Sequence, residues 1–346
     1  MQTSRLAFAL LAVVVLACGN GGSGGPGPGA GGSSGGSSSG GGSGGSGSGS
    51  GGGSSGGSSG GSSSGGDAGV VPDDSGIPGS DQSLTLTMGP FTVPGGSELF
   101  KCQSFANPFA GKDTDVRAYE EHMTLGSHHM FLFFSPGATD GPIVDCPSGG
   151  LEFHPYPFSA QSKDATLTYP PTVGSRVPGS MGFMLNGHFL NTTATPYQAT
   201  LTVTLHLAQP GSVQQYAGVV FMNNVSIDIP PGQNPTTATA TCIMPQAMNV
   251  MASASHMHQR ATQFVATTGS QTLYQTTTWA DPVPSLYTPP IQLPSGAPVT
   301  FSCTYTNDTP YDLTFGESAL TNVMCIYSMQ FFPVTDPSNP TIQCMK

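Results

Sequence analysis

The 346-residue sequence predicts an all-β fold of β-sandwich architecture, on three observations. Short runs rich in Thr, Val, Phe, Leu and Tyr recur along the chain, while helical periodicity is almost absent. One run, Thr200–Leu207 (TLTVTLHL), alternates at the two-residue period of a strand with one buried face. Pro-rich joints at Tyr169-Pro170-Pro171, Pro230-Pro231 and Thr288-Pro289-Pro290 punctuate the runs where strands end.

In chain order, the first segment to justify is not a strand. Residues 1–18 carry one Arg, an apolar run from Leu6 to Ala17, and then Cys18. This is the layout of an export signal, and the run is too short to span a bilayer and stay there. Its end, Val15-Leu16-Ala17-Cys18, resembles the lipobox of bacterial lipoproteins, which implies lipidation of Cys18 and anchoring to a membrane. A linker over 19–81 follows, and more than half of the chain's 49 Gly lie in its Gly/Ser tract. Such a composition makes a flexible tether with no chemistry of its own. Predicted strands then include Ser83–Met88, Met130–Phe134, Thr200–Leu207, Tyr216–Met222, Gln263–Ala266, Val299–Tyr305 and Cys325–Phe332. A boundary near Ala208–Val213 (AQPGSV) divides the remainder into 82–208 and 213–346.

The net charge of −11 leaves no basic patch to neutralise phosphates, so nucleic-acid binding is not expected. Seven Cys occur. Setting Cys18 aside leaves an even number in an exported chain, which favours disulfides, and spacing alone does not choose among their pairings. No zinc-ribbon spacing is present.

Eight His are the main carriers of chemistry. His256 and His258 stand two apart, so on a strand they share a face and can chelate one ion; a pair of hydrogen-bonded surface histidines has the same spelling. His128 and His129 are adjacent, so a regular strand sends them to opposite faces, and both reach one metal only where the strand bends. Met324 offers a soft thioether that suits Cu(I), although most Met are core packing. Two His and one Met suit a redox copper ion better than zinc. His122 and His154 are not candidate ligands, His206 in its alternating strand reads as structural, and Trp279 as core or cleft lining.

The ordered set of Leu99–Ser104 (LFKCQS), His128–Phe133 (HHMFLF), Met181–Asn191 (MGFMLNGHFLN), His256–Phe264 (HMHQRATQF) and Phe315–Cys325 resembles the copper type II, ascorbate-dependent monooxygenases. That family includes the peptidylglycine and dopamine hydroxylating enzymes, and the resemblance spans roughly residues 83–334. It implies two tandem antiparallel β-sandwich, jelly-roll-like domains, each holding copper in its own site. Carried over by position, His128, His129 and His188 hold the electron-transfer copper. His256, His258 and Met324 hold the copper that meets O2 and substrate. The implied disulfides are Cys102–Cys146, Cys242–Cys344 and Cys303–Cys325. The implied activity is hydroxylation of a C–H bond in a small-molecule or peptide-like substrate, with O2 and ascorbate or another one-electron reductant. A non-catalytic copper-binding or surface interaction lipoprotein on the same scaffold is the alternative. The chain departs from the peptidylglycine enzymes where their substrate-carboxylate clamp stands: Ala254 replaces an Arg, and Ile326 and Ser328 replace an Asn and a Tyr. A C-terminal glycine peptide is therefore not the expected substrate.

Overall fold

The computed structural model describes residues 69–147 and 154–346, and in that stretch every regular element is a strand. The export signal, Cys18 and the Gly/Ser tract fall outside the described residues. The fold starts earlier than the linker expected over 19–81 allows. Val71–Pro72 pairs with Ser83 and Gln82, and the Asp73 carboxylate accepts a 2.7 Å hydrogen bond from His206. Composition hides this, because two paired residues and one buried carboxylate leave no periodic pattern.

Strands up to Tyr216 form two sheets. One runs Val71–Pro72, Ser80–Val93, Tyr197–Ala208, Thr114–Met123, Val173–Val177, Gln215–Tyr216, with Asp164–Thr168 also on Thr114–Met123. The other runs Val144–Asp145, Glu98–Phe105, Met181–Leu190, Ser127–Pro136, Phe158–Ala160. The predicted alternation is visible in Tyr197–Ala208, where Thr200, Thr202 and Thr204 are half-buried and Leu201, Val203 and Leu205 are fully buried. They join Leu84, Leu86, Tyr119, Leu132 and Phe183 in one core between the sheets. His206 breaks the alternation: it is buried because Asp73 and Glu120 take up its two ring nitrogens. Burial with satisfied polar atoms costs little.

Strands from Gly218 onward form the second sandwich. Its inner sheet runs Ser285–Leu293, Met248–Met257, Cys325–Phe332, Gly218–Asn223, Thr341–Met345. Opposite lie Gly232–Ile243, Pro298–Asn307, Ala261–Thr268 and Gln271–Thr276, and Phe264, Phe301, Tyr305, Tyr327 and Phe331 fill the space between. Side chains of this size contribute roughly 1.5–3 kcal/mol each when fully buried. Among the described strands the antiparallel expectation has two exceptions: Gln215–Tyr216 pairs parallel with Val173–Val177, and Gly218–Asn223 pairs parallel with Thr341–Met345.

Three disulfides join Cys102 to Cys146, Cys242 to Cys344 and Cys303 to Cys325, the pairing that the family resemblance implies. Cys242–Cys344 fixes the C-terminal strand to the second sandwich across 102 residues of sequence. Three such bonds fit an oxidising compartment outside the cytoplasm. No helix among the described residues is long and apolar enough to cross a membrane.

A third apolar cluster joins the sandwiches: Phe133 and Tyr156 from the first meet Val219, Phe221, Met324 and Ile326 from the second. The histidine clusters sit beside it.

Candidate metal centre

His128 and His129 lie near the start of Ser127–Pro136, opposite the end of Met181–Leu190. His188 pairs with His129, and the next residue, Phe189, pairs with Ser127. His128 is thus the extra residue of a β-bulge. A bulge re-aims the side chain it carries, so neighbours that a regular strand would send apart can share one site. The rings of His128 and His129 have centroids 5.1 Å apart, and His188 lies 5.0 Å from His128 and 4.9 Å from His129. Phe100 stacks on the His188 ring at 4.1 Å and fixes its plane.

His256 lies on Met248–Met257 and His258 just beyond it, with ring centroids 5.1 Å apart. The His256 ring is 5.0 Å from His128 and 4.7 Å from His129, and His258 is 5.9 Å from His128. The two expected ligand sets, His128, His129 and His188 on one side and His256 and His258 on the other, lie against each other. The structure gathers all five imidazoles into one cluster, and His128, His129 and His256 have ligand atoms within 4.8 Å of one another. The physical reason is a pair of hydrogen-bonded links that close the sandwiches over this point. Glu98, from the first, accepts from Ser318 Oγ at 2.6 Å and from the Ala319 amide at 2.7 Å. Gln161, also from the first, hydrogen-bonds His256 at 2.8 Å and donates to the Trp279 carbonyl at 2.6 Å.

The sixth expected ligand, Met324, is buried in the apolar cluster with Phe133, Phe221 and Ile326. Its strand register pairs His256 with Ile326 and Met257 with Cys325, which brings Met324 alongside the chain at His258. Its carbonyl accepts a 2.6 Å hydrogen bond from the buried Tyr305 hydroxyl. Its sulfur is at home in apolar packing as placed.

The nitrogens carry the chemical argument. Each of the five histidines has one ring nitrogen that is buried and without a hydrogen-bond partner: Nε2 of His128, His256 and His258, and Nδ1 of His129 and His188. In three of them the other nitrogen is engaged. His188 donates from Nε2 to Glu98 at 2.9 Å, His256 from Nδ1 to Gln161, and His258 from Nδ1 to the Asn322 carbonyl at 3.3 Å. Donation through one nitrogen leaves a lone pair on the other, so these contacts fix the tautomer a metal ligand needs. Glu98 is the one carboxylate in this set, and sequence reasoning missed both it and Gln161. They lie 90 and 95 residues from the histidines they hold, and no local motif marks them.

Electrostatics agree. Burial, reinforced by the neighbouring histidines, holds His128, His129 and His256 well below the usual imidazole range. Burial likewise pushes His258 down to about 3, and His188 down against the partial support of Glu98. Burial alone would raise Glu98, but hydrogen bonds from His188, Ser318 and Ala319 outweigh it and hold the carboxyl below its ordinary value. The cluster is thus neutral imidazole at physiological pH, the form that binds a metal.

The ligand atoms of His128, His129 and His256 are close enough together to hold one metal ion, and imidazole suits copper in both common oxidation states. Buried ring nitrogens without partners are an unfavourable way to fill a protein interior.

A cavity of about 120 Å³ opens beside the cluster, with His129 and His256 in its wall. Ala254, Ile326 and Ser328, which stand at the family's substrate-clamp positions, also line it. Of the remaining histidines, His122 pairs with Asp164 at the surface and His154 approaches Phe133. Trp279 packs near His128, 5.8 Å between ring centroids.

No family model matches the chain, and no curated protein sequence matches it. Among solved structures it is similar to PNGase F, a glycosylasparaginase from Flavobacterium meningosepticum. The identity there is 9%, the TM-score 0.34, and 76% of this chain and 98% of that one are covered. It is also similar to the major capsid protein P2 of bacteriophage PM2, at 7% identity and TM-score 0.29, over 72% of this chain and 97% of that one. At such TM-scores neither likeness bears on what the site does.

Proposed function

We propose that the protein is an exported, lipid-anchored copper monooxygenase that hydroxylates a C–H bond in a substrate held against the histidine cluster. The observation that carries this reading is the set of five buried ring nitrogens without partners, on neutral imidazoles whose opposite nitrogens are in part tied down. When bound, copper supplies one-electron redox chemistry and the reduction of O2. In the balanced reaction one oxygen atom enters the C–H bond and the other leaves as water. Two electrons come from a one-electron reductant such as ascorbate and two protons from solvent.

The chain's own residues supply the rest. His128, His129, His188, His256 and His258 present lone pairs from two sandwiches. Glu98 and Gln161 hold the rings of His188 and His256 in place and fasten the sandwiches together at the same point. Met324, one strand over, is the soft donor that the resemblance assigns to the copper beside the substrate. The buried apolar surround of Phe131, Phe133 and Phe221 limits water near the reacting bond.

The second reading, a copper-binding protein without turnover, is favoured by the neutral residues at the clamp positions, Ala254, Ile326 and Ser328. Oxygen consumption by the copper-loaded full chain with ascorbate separates the two. Uptake that rises with a cleft ligand and yields a hydroxylated product supports the monooxygenase. Tight copper with no ligand-dependent uptake supports the second reading.

A further inference from the structure

The cavity beside the imidazoles has a chemical character of its own. Among the described residues no Asp, Glu, Lys or Arg lines it. Its walls are largely apolar: Phe131, Phe158 and Leu167 from the first sandwich face Phe221 and Ile326 from the second. At its mouth Pro282, Pro284 and Leu286 belong to a segment that also carries Val283. Leu286 is 69% exposed and Val283 74% exposed, although both are large and apolar. Apolar side chains held in water next to an apolar opening leave surface that an occupant can cover.

The polar groups in the wall are neutral, and one of them is poised. Gln330 donates from Nε2 to the Pro157 carbonyl at 3.5 Å, which aims its amide. Its Oε1 is buried and has no partner. An unpartnered buried acceptor is costly, and a ligand that donates a hydrogen bond to it removes that cost.

We infer that this cleft takes an uncharged, mainly apolar small molecule bearing one hydrogen-bond donor, a hydroxyl or amide N–H, which Gln330 Oε1 accepts. The inference rests on the monooxygenase reading for what happens to the ligand, but not for its binding. A carboxylate or an ammonium finds no counter-charge in this wall, and stripping either of water without one is strongly unfavourable. The orphaned Gln330 oxygen distinguishes the donor-bearing ligand from a plain hydrocarbon or ether.

The test is ligand binding to the full chain with and without copper, followed by emission of Trp279, the only Trp in the sequence, and by calorimetry. Gln161, which lines the cleft, is bonded to the Trp279 carbonyl, so occupancy should register there. The probes share one ring and differ in one group: cyclohexylmethanol, its methyl ether, cyclohexanecarboxylate and cyclohexylmethylamine. The expected result is saturable binding of the alcohol, with each charged probe at least about tenfold weaker and the ether also weaker. Gln330→Leu should erase the difference between alcohol and ether. Ala254→Arg, at a half-buried wall position, should reverse the preference toward the carboxylate, with Ser328→Arg as a second version should the first fail to fold.

Equal or tighter binding of the carboxylate or amine to the unaltered chain overturns the inference, as does an alcohol that binds no better than the ether. Copper content measured on the same samples keeps the two claims apart. Copper without the neutral preference sinks the ligand class and leaves the metal centre standing. The neutral preference without copper sinks the monooxygenase reading and leaves the ligand class standing.

Discussion

Replacing Glu98 with Gln keeps the shape of the group that binds the two sandwiches beside His188 and removes its charge. In the native arrangement Oε1 accepts from His188 Nε2 at 2.9 Å and from the Ala319 amide at 2.7 Å, and Oε2 accepts from Ser318 at 2.6 Å. Hydrogen bonds to a charged group are worth about 1.5–3 kcal/mol and neutral ones about 0.5–1.5. A side-chain amide at this position can replace at most part of this set, so Glu98→Gln should destabilise the metal-free protein by about 1–3 kcal/mol. The carboxylate also holds His188 with its proton on Nε2 and its lone pair on Nδ1. Loss of such a partner typically costs 10–100-fold in metal affinity. The assays are urea denaturation of the metal-free protein and competition titration of copper against a chelator. The acid limb gives a further check. Glu98 has a depressed folded pKa, so its stabilisation is present above the unfolded carboxyl value and lost as pH falls through the folded one. In Glu98→Gln that contribution to the acid limb should be missing. Unchanged copper affinity together with unchanged stability would refute the reasoning.

Other consequences can be measured independently. The five cluster histidines have folded pKa values below the unfolded value near 6.5, so the unfolded chain binds protons first as pH falls. Metal-free stability should therefore drop below about pH 6.5, by up to about 1.4 kcal/mol per pH unit for each histidine, and a flat profile from pH 7 to 5 contradicts the burial of neutral imidazoles. Met324→Ile exchanges similar volumes in an apolar cluster and should cost less than about 1.5 kcal/mol of stability while weakening Cu(I) by at least about tenfold; unaltered Cu(I) affinity assigns its sulfur to packing alone. Removing the Cys242–Cys344 bond by paired Ser substitution should lower stability by about 2–5 kcal/mol in urea, and a loss below about 1 kcal/mol would show that the C-terminal strand is held without it. Gln161→Leu should free the His256 ring and lower copper affinity about tenfold, with no effect if the Gln161 contact does not set that tautomer.

How far each feature could be read from sequence follows from its range along the chain. Thr200–Leu207 declares itself because alternation is a local property, and it lies within the observed Tyr197–Ala208. Cys325–Phe332 coincides with its strand for the same reason. The shared face of His256 and the segment after it needs only the two-residue period. The convergence of His128 with His129 needs a bulge, and a bulge is set by the partner strand, here the shift from His188 to Phe189. No window around residue 128 contains that information. The Glu98 contact with His188 comes from strand pairing within the first sandwich, 90 residues apart, while the Gln161 contact and the meeting of the two ligand sets depend on how one sandwich docks on the other, between residues 95 to 220 apart. The strand pairing of Val71–Pro72 escaped because a Gly-rich context conceals two residues of strand. The parallel return of Thr341–Met345 escaped because pairing direction leaves no mark on composition.

The most direct test of the central claim, that imidazoles from both sandwiches form one copper centre, is copper retained per full chain after dialysis. The comparison is between the unaltered protein, His128→Ala and His256→Ala, with Trp279 emission read in parallel because its ring lies 5.8 Å from His128. The account predicts retained copper, quenched Trp279 emission, and loss of copper affinity in both variants. In particular, His256→Ala should weaken the copper held by His128, His129 and His188, because its ring sits 4.7 Å from His129. A full chain that retains no copper and keeps its Trp279 emission, or a His256→Ala variant whose remaining copper is held as tightly as before, contradicts it.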